Sequence, residues 1–218
     1  SPDNVILGLN ARYNLLNRFQ LYGQFTLDEF KFDRISDGDD WWGNKFGYQL
    51  GLKYLDVFNI DKLDMVLEFN RMRPYTYTHR DSVSNYAHSN LALAHPLGAN
   101  FREIIMEFRY RPTRKWHLMS RILYMQYGED VNGDNYGKDI LQPNITRVGN
   151  TGIKLLQGDQ VNSTVFHFNV GYQFFHNMFV DGIITARMAE SETGVYDLDS
   201  FYAGIGIRIN MKRDYWSF

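Results

Sequence analysis

Residues 201–211 read Phe201-Tyr-Ala-Gly-Ile-Gly-Ile-Arg-Ile-Asn-Met211, and this stretch decides the fold. Every odd-numbered position carries an apolar side chain, whereas every even-numbered position carries a small or polar one. A period of two residues is typical of a β-strand whose two faces meet different surroundings. We therefore predict a strand here with one apolar face and one polar face.

Eight further stretches alternate in the same way, so the sequence predicts about nine strands. They lie near residues 4–15, 19–28, 45–55, 63–70, 100–110, 116–127, 163–175 and 178–188. Most are about 10 to 13 residues long, roughly the length that a tilted strand needs to cross a bilayer. The pattern predicts an all-β fold, an antiparallel up-and-down transmembrane β-barrel that takes up residues 1–218 as a single domain.

The composition agrees with such a barrel. Phe, Trp and Tyr make up 16% of the chain, which suits both strands and the aromatic girdles at the two membrane interfaces. Only 44% of the residues are hydrophobic, and no apolar run approaches the ~20 residues of a spanning helix, which excludes an α-helical membrane protein. The net charge of -2 and the lack of a basic stripe exclude nucleic acid as an expected partner.

The predicted connections alternate between short and long, and this orients the strands. The long ones cover about residues 32–44, 75–99, 128–162 and 189–199. Bacterial barrels have short periplasmic turns and long external loops. We therefore expect a protein of the bacterial outer membrane, in contact with its lipid bilayer, with these four loops at the cell surface.

An odd number of strands leaves the predicted barrel incomplete. Single-chain bacterial barrels have even strand numbers, and each unpaired backbone group costs several kcal/mol in lipid. We therefore expect a fragment of a larger barrel. The remainder would be supplied by strands upstream or by another chain.

Several blocks of the sequence resemble the Wzi/RemB-like family of outer-membrane barrels, which is associated with capsule assembly and, in gliding bacteria, with surface motility. The resemblance covers roughly residues 4–121 and is carried by residues 42–51, 68–77, the pair Asn85-Tyr86 and residues 93–103. It implies a barrel of about eighteen strands that binds capsular polysaccharide at the cell surface, with this chain as its C-terminal half. The chain is too short for the whole barrel.

The predicted loop 75–99 is long and rich in aromatic residues, so we expect it to fold into or across the lumen. Its candidate polysaccharide-binding residues, which can stack on a sugar or hydrogen-bond to it, are Asn85, Tyr86, His88, Asn90 and His95. The alternative is a plug whose polar groups satisfy one another and the barrel wall.

A second candidate sugar site lies at residues 37–43, Asp37-Gly-Asp-Asp-Trp-Trp-Gly43. Asp39 and Asp40 offer carboxylates for hydroxyl groups, and Trp41 and Trp42 offer flat apolar surface. Tandem tryptophans are equally typical of a membrane-interface belt.

Charged side chains on the predicted polar faces indicate a charge network in the lumen. Its members are Glu68, Arg102, Glu103, Glu107, Arg109 and Arg208. Structural ion pairs are the usual outcome, because pairing offsets the cost of removing each charge from water. The alternative is a path for a charged polymer.

Residues 130–136, Asp130-Val-Asn-Gly-Asp-Asn-Tyr136, begin like a calcium loop with oxygen ligands at alternate positions. The pattern fails at its sixth position, Asn135, and at its twelfth, Leu141, so an exposed turn is favoured. We expect no metal and no cofactor. The sequence also lacks GxSxG, HExxH and phosphate-loop motifs, which argues against an enzyme.

These observations lead to three hypotheses. The first is a barrel component that binds or anchors surface or capsular polysaccharide through its external loops. The second is an accessory subunit of an outer-membrane secretion or gliding-motility assembly, with loops that bind protein partners. The third is a soluble all-β ligand carrier, which would stay monomeric without detergent because it lacks an exposed apolar belt.

Overall fold

The computed structural model of the chain describes residues 5–31, 33–34 and 38–210. Asn4, Asp37 and Met211, together with residues 32, 35 and 36 of the predicted loop 32–44 and the two ends of the predicted domain 1–218, lie outside this part. The strands are β1 Leu7–Leu15, β2 Phe19–Glu29, β3 Lys45–Tyr54, β4 Leu63–Met72, β5 Ala87–His88, β6 Leu91–Ala92, β7 Phe101–Tyr110, β8 Trp116–Glu129, β9 Asp159–Phe175, β10 Met178–Ser191 and β11 Leu198–Ile209. Short 3₁₀ turns occupy Val57–Asn59, Ser82–Ser84 and Asn144–Thr146.

Nine of these strands form one antiparallel sheet in the order β1-β2-β3-β4-β7-β8-β9-β10-β11. The remaining two, β5 and β6, form a small hairpin within the connection between β4 and β7. This confirms the predicted all-β, antiparallel fold with nine main strands. The sheet is not closed, because within the described residues β1 and β11 each pair with one neighbour only.

Long connections separate β2 from β3, β4 from β7 (residues 73–100), β8 from β9 (130–158) and β10 from β11 (192–197), near the predicted 32–44, 75–99, 128–162 and 189–199. The third is shorter than the predicted 128–162, because β8 and β9 remain paired up to Glu129 and Asp159. The added residues at the ends of β8 and β9 are joined by polar side chains. Gln126 Nε2 donates to Asn162 Oδ1 at 2.6 Å across the two strands, so the pairing continues where the apolar alternation has stopped.

One face of the sheet is apolar from edge to edge. A single register row on it reads Tyr13, Leu21, Leu52, Leu67, Met106, Ile122, Phe166, Ala186 and Phe201. No described element covers this face, and Leu50 and Ile205 remain 58% and 87% exposed. In the part of the chain that the structure describes, no helix has the length and apolarity to cross a membrane.

The buried core lies on the opposite, polar face, at the end where the long connections meet. It contains Met72, Tyr77, Ala99, Phe101, Met125, Tyr127, Ile140, Val161 and Ala189. Three connections supply its outer layer, and we call their residues 38–44, 73–100 and 130–158 the cap. The cap and the polar face of the sheet therefore bury each other at this end.

Candidate functional site

The cap is held together by hydrogen bonds between its loops. The Ile153 N–H donates to the Asp40 carbonyl at 3.0 Å, and the Tyr75 N–H donates to the Gly137 carbonyl at 3.0 Å. Tyr75 is fully buried, and this burial raises the pKa of its phenol to about 12. Three segments distant in sequence thus form one unit.

The same unit is anchored to the polar face by buried charged groups. Lys45 Nζ at the start of β3 donates to the Thr78 carbonyl at 2.8 Å and pairs with Glu29 at 3.1 Å. Asp28 Oδ2 accepts the Tyr77 N–H at 2.8 Å. Hydrogen bonds to charged groups are the strong ones, so these contacts fix the cap on the ends of β2 and β3.

A cleft of about 440 Å³ lies between the cap and the polar face. Its polar and aromatic lining includes Gln24, Gln49, Asn70, Tyr77, Tyr86 and His95. The rings of Tyr77 and Tyr86 are 5.5 Å apart and tilted by 34°. Amide groups on the wall therefore face phenol rings from the cap.

A chain of hydrogen bonds lies beside the cleft and orders its groups. Tyr22 Oη donates to Glu68 at 2.7 Å, and Asn70 Nδ2 donates to both Glu68 and Glu103 at 2.9 and 2.8 Å. His95 Nε2 lies 2.7 Å from Glu103 Oε1. The two carboxylates are therefore satisfied by a phenol, an amide and an imidazole.

His95 is locked in one orientation. Its Nδ1 accepts the Leu97 N–H at 3.2 Å, which leaves Nε2 as the donor to Glu103. Its ring stacks on Phe101 with centroids 4.4 Å apart. This predicted site residue both lines the cleft and ties the cap to β7.

The other predicted residues of loop 75–99 have different positions. Tyr86 lines the cleft. Asn85 is buried, and its Nδ2 donates to the Ile140 carbonyl at 2.7 Å, which is the contact expected of a plug. His88 and Asn90 lie at the exposed turn of the β5–β6 hairpin and do not line the cleft.

The tandem tryptophans pack within the cap. Arg147 and Lys45 lie over the ring of Trp42, 4.1 and 5.0 Å from its centroid, and Tyr75 contacts it edge-on. Trp41 has Lys31 over its ring at 5.2 Å. Their faces are therefore used by neighbouring side chains.

The two aspartates beside them are also engaged. Asp39 pairs with Arg34 at 3.2 Å, and the carbonyl groups of Asp39 and Asp40 accept the N–H groups of Gly152 and Ile153. Residues 38–42 thus form a seam between two loops of the cap.

The predicted charge network forms in part. Glu107 is buried and lies 2.5 Å from Arg109, with Arg121 as a second partner at 2.6 Å. Arg208 pairs with Asp181 at 2.7 Å. Glu68 and Glu103 belong to the cleft network instead.

The placement of Arg102 in that network was wrong. Its neighbour Glu103 faces the cap, and because side chains alternate along a strand, Arg102 lies on the apolar face. There its Nε donates to Gln126 Oε1 at 2.6 Å.

Residues 130–136 form a turn organised by its own aspartate. The carboxylate of Asp130 accepts the N–H groups of Tyr136 and Asp139 at 2.6 and 3.0 Å. The tip at residues 132–134 is exposed. Within residues 5–31, 33–34 and 38–210, no three His, Asp or Glu side chains are grouped so as to hold a metal ion.

Sequence reasoning missed Gln24, Gln49, Asn70 and Tyr77 as cleft residues. The first three alternate onto the polar face near the loop end of their strands, and this position was the available signal. No protein-family model matches the chain, and no curated protein matches it.

Proposed function

We propose that the chain is part of an outer-membrane β-barrel that binds surface polysaccharide in the cleft beneath the cap. The observation that carries the proposal is the sheet itself, with an uncovered apolar face on one side and a capped polar cleft on the other. A barrel wall needs the first feature, and a binding protein needs the second.

The layout of the apolar face supports a membrane position. Aromatic residues bound it at the turn end, where Phe19 stacks on Tyr54 at 4.3 Å and Trp116 lies 4.8 Å from Tyr172. Aromatic side chains at this height are typical of the belt where a bilayer meets water. The aliphatic rows lie between this belt and the loop end.

The chemistry of the cleft supports a polyhydroxylated ligand. Tyr86, which is 42% exposed and packs on the buried Tyr77, supplies ring surface for the C–H face of a sugar, and Gln24 and Gln49 supply amide donors and acceptors. Both hydrogens of Asn70 Nδ2 are used by carboxylates, so this residue offers its Oδ1 to a hydroxyl donor. The wall is pre-ordered, which reduces the entropy cost of binding.

The test is glycan binding by the variant Tyr86→Ala in cells that bear the protein. We expect at least about tenfold weaker binding, because a ring that stacks on the sugar is lost. His88→Ala on the same hairpin is the matched control and should bind normally. Equal binding by both variants and the parent protein would contradict the cleft as the sugar site.

A protein-binding role in a secretion or gliding assembly is the second candidate. Val83, Leu91 and Leu93 on the cap are 89%, 70% and 54% exposed, and exposed apolar side chains favour protein contacts. Under this alternative, Leu91→Asp releases the protein from a stable complex, whereas Tyr86→Ala leaves glycan retention unchanged.

A further inference from the structure

Two arginines face each other on the apolar face, near its loop end. Arg71 of β4 and Arg102 of β7 are directly paired in register. The next row toward the turn end holds Phe69 and Ile104, which are also paired. The arginines therefore lie at the border of the apolar surface.

Such a pair is unfavourable by itself, because like charges directly opposite on neighbouring strands repel each other. No acidic side chain of the described residues forms an ion pair with either arginine. In the same register row Glu190 is three strands from Arg102, roughly 14 Å at normal strand spacing. The charge of the pair is thus not neutralised within the described protein.

Hydrogen-bonding capacity is also left over. Arg71 Nε is buried without a hydrogen-bond partner among the described residues, and its guanidinium lies 6.0 Å from the centre of the Tyr48 ring. Arg102 uses Nε on Gln126, and a guanidinium has four further N–H donors. Both guanidinium groups therefore keep N–H donors for an anion that has several oxygen atoms.

We infer that Arg71 and Arg102 bind a phosphate of a glycolipid in the outer leaflet, with its acyl chains on the aliphatic rows beneath. This inference rests on the proposed membrane position. Arginine forks match phosphate oxygens in geometry and charge, and a phosphate between the two guanidinium groups removes their repulsion. The adjoining apolar rows select a lipid-borne phosphate over a free one.

The test is native mass spectrometry of the full-length gene product in mild detergent, with diphosphorylated or dephosphorylated lipid A as the probe. We expect the protein to prefer the diphosphorylated form. The variant R71Q/R102Q should bind that form at least about tenfold more weakly than the parent protein does. R114Q/K115Q removes the same charge from the exposed β7–β8 turn and should behave like the parent protein.

R71K/R102K keeps both charges and replaces R71Q/R102Q in the same measurement if the glutamine variant misfolds. It should prefer phosphorylated lipid A less strongly, because lysine lacks the planar fork. Equal binding of both lipid A forms by the parent protein would overturn the inference, as would displacement of lipid A by an equal concentration of inorganic phosphate. If glycan binding and bilayer insertion persist in that case, the proposed function stands; if insertion itself fails, both fall.

Discussion

Two of the clefts on the polar face of the sheet have similar volume and different chemistry. The cleft at the loop end measures about 440 Å³ and is lined by amides and phenols beneath the cap. The one nearer the turn end measures about 410 Å³ and is lined by Lys53, Glu107, Arg109 and Arg121 among others. One sheet with one alternation pattern thus builds two unlike surfaces.

The difference lies in what satisfies the carboxylates on this face. Glu107 is paired with two arginines, so one carboxylate holds both cations at the turn end. Glu103, beside the loop-end cleft, is satisfied by Asn70 and His95. Glu68, which lines the turn-end cleft, is satisfied by Tyr22 and the same Asn70, so uncharged groups remain in position between the two clefts. At the turn end the charged groups are engaged in ion pairs, whereas the loop-end cleft keeps hydrogen-bonding capacity for a ligand.

The largest expected effect comes from breaking the turn-end pairing with Glu107→Ala. Two arginines lose their partner, and we expect a loss of about 2–3 kcal/mol in the free energy of unfolding, less than for a fully enclosed pair because both arginines reach solvent. Chemical denaturation in detergent measures it. Glycan binding should be unchanged, and a loss of binding would show that the two clefts are not independent.

A smaller effect is expected at the loop end from Asn70→Leu. Glu68 and Glu103 each lose a donor, which should cost about 1–2 kcal/mol in the same assay and also weaken glycan binding. Gln24→Leu is the matched control on the same face and should weaken binding with little change in stability. Equal stability loss in both variants would argue against the network as the ordering element.

The remaining effect is absent at neutral pH and appears only at alkaline pH, as a weakening of the cap. Burial raises the pKa of Tyr75 to about 12 and also raises the pKa of Tyr77. A raised pKa contributes stability that is complete below pH 10 and is lost as the pH rises toward 12. Ultraviolet absorbance should show that some phenol groups ionise only well above pH 10, and Tyr75→Phe should reduce the size of this late step. Ionisation of all tyrosines near pH 10 would contradict the buried cap.

Alternation was sufficient to predict the sheet, because each strand has one face on an uncovered apolar surface. The predicted strands 201–211 and 45–55 show this most clearly, and the described residues form β11 Leu198–Ile209 and β3 Lys45–Tyr54 there. The prediction worked less well where polar pairing replaces apolar pairing, as for Gln126 and Asn162 at the ends of β8 and β9.

The cap could be predicted only as a long, sticky loop. Its geometry depends on contacts between distant residues, such as Asp28 with the Tyr77 N–H and Asn85 with the Ile140 carbonyl. No local pattern encodes these pairings. For Arg102 the local pattern does suffice. It alternates with Glu103 along β7, and this alternation alone places its side chain on the apolar face.

Arg147 and Lys45 stack on Trp42, so the fluorescence of this tryptophan can report whether the cap is in place. An indole flanked by two cations emits differently from one released into water, so Trp42 fluorescence would register lifting of the cap from β3. Trp116, which lies against Tyr172 at the other end of the sheet, would keep a constant emission and serve as the internal standard.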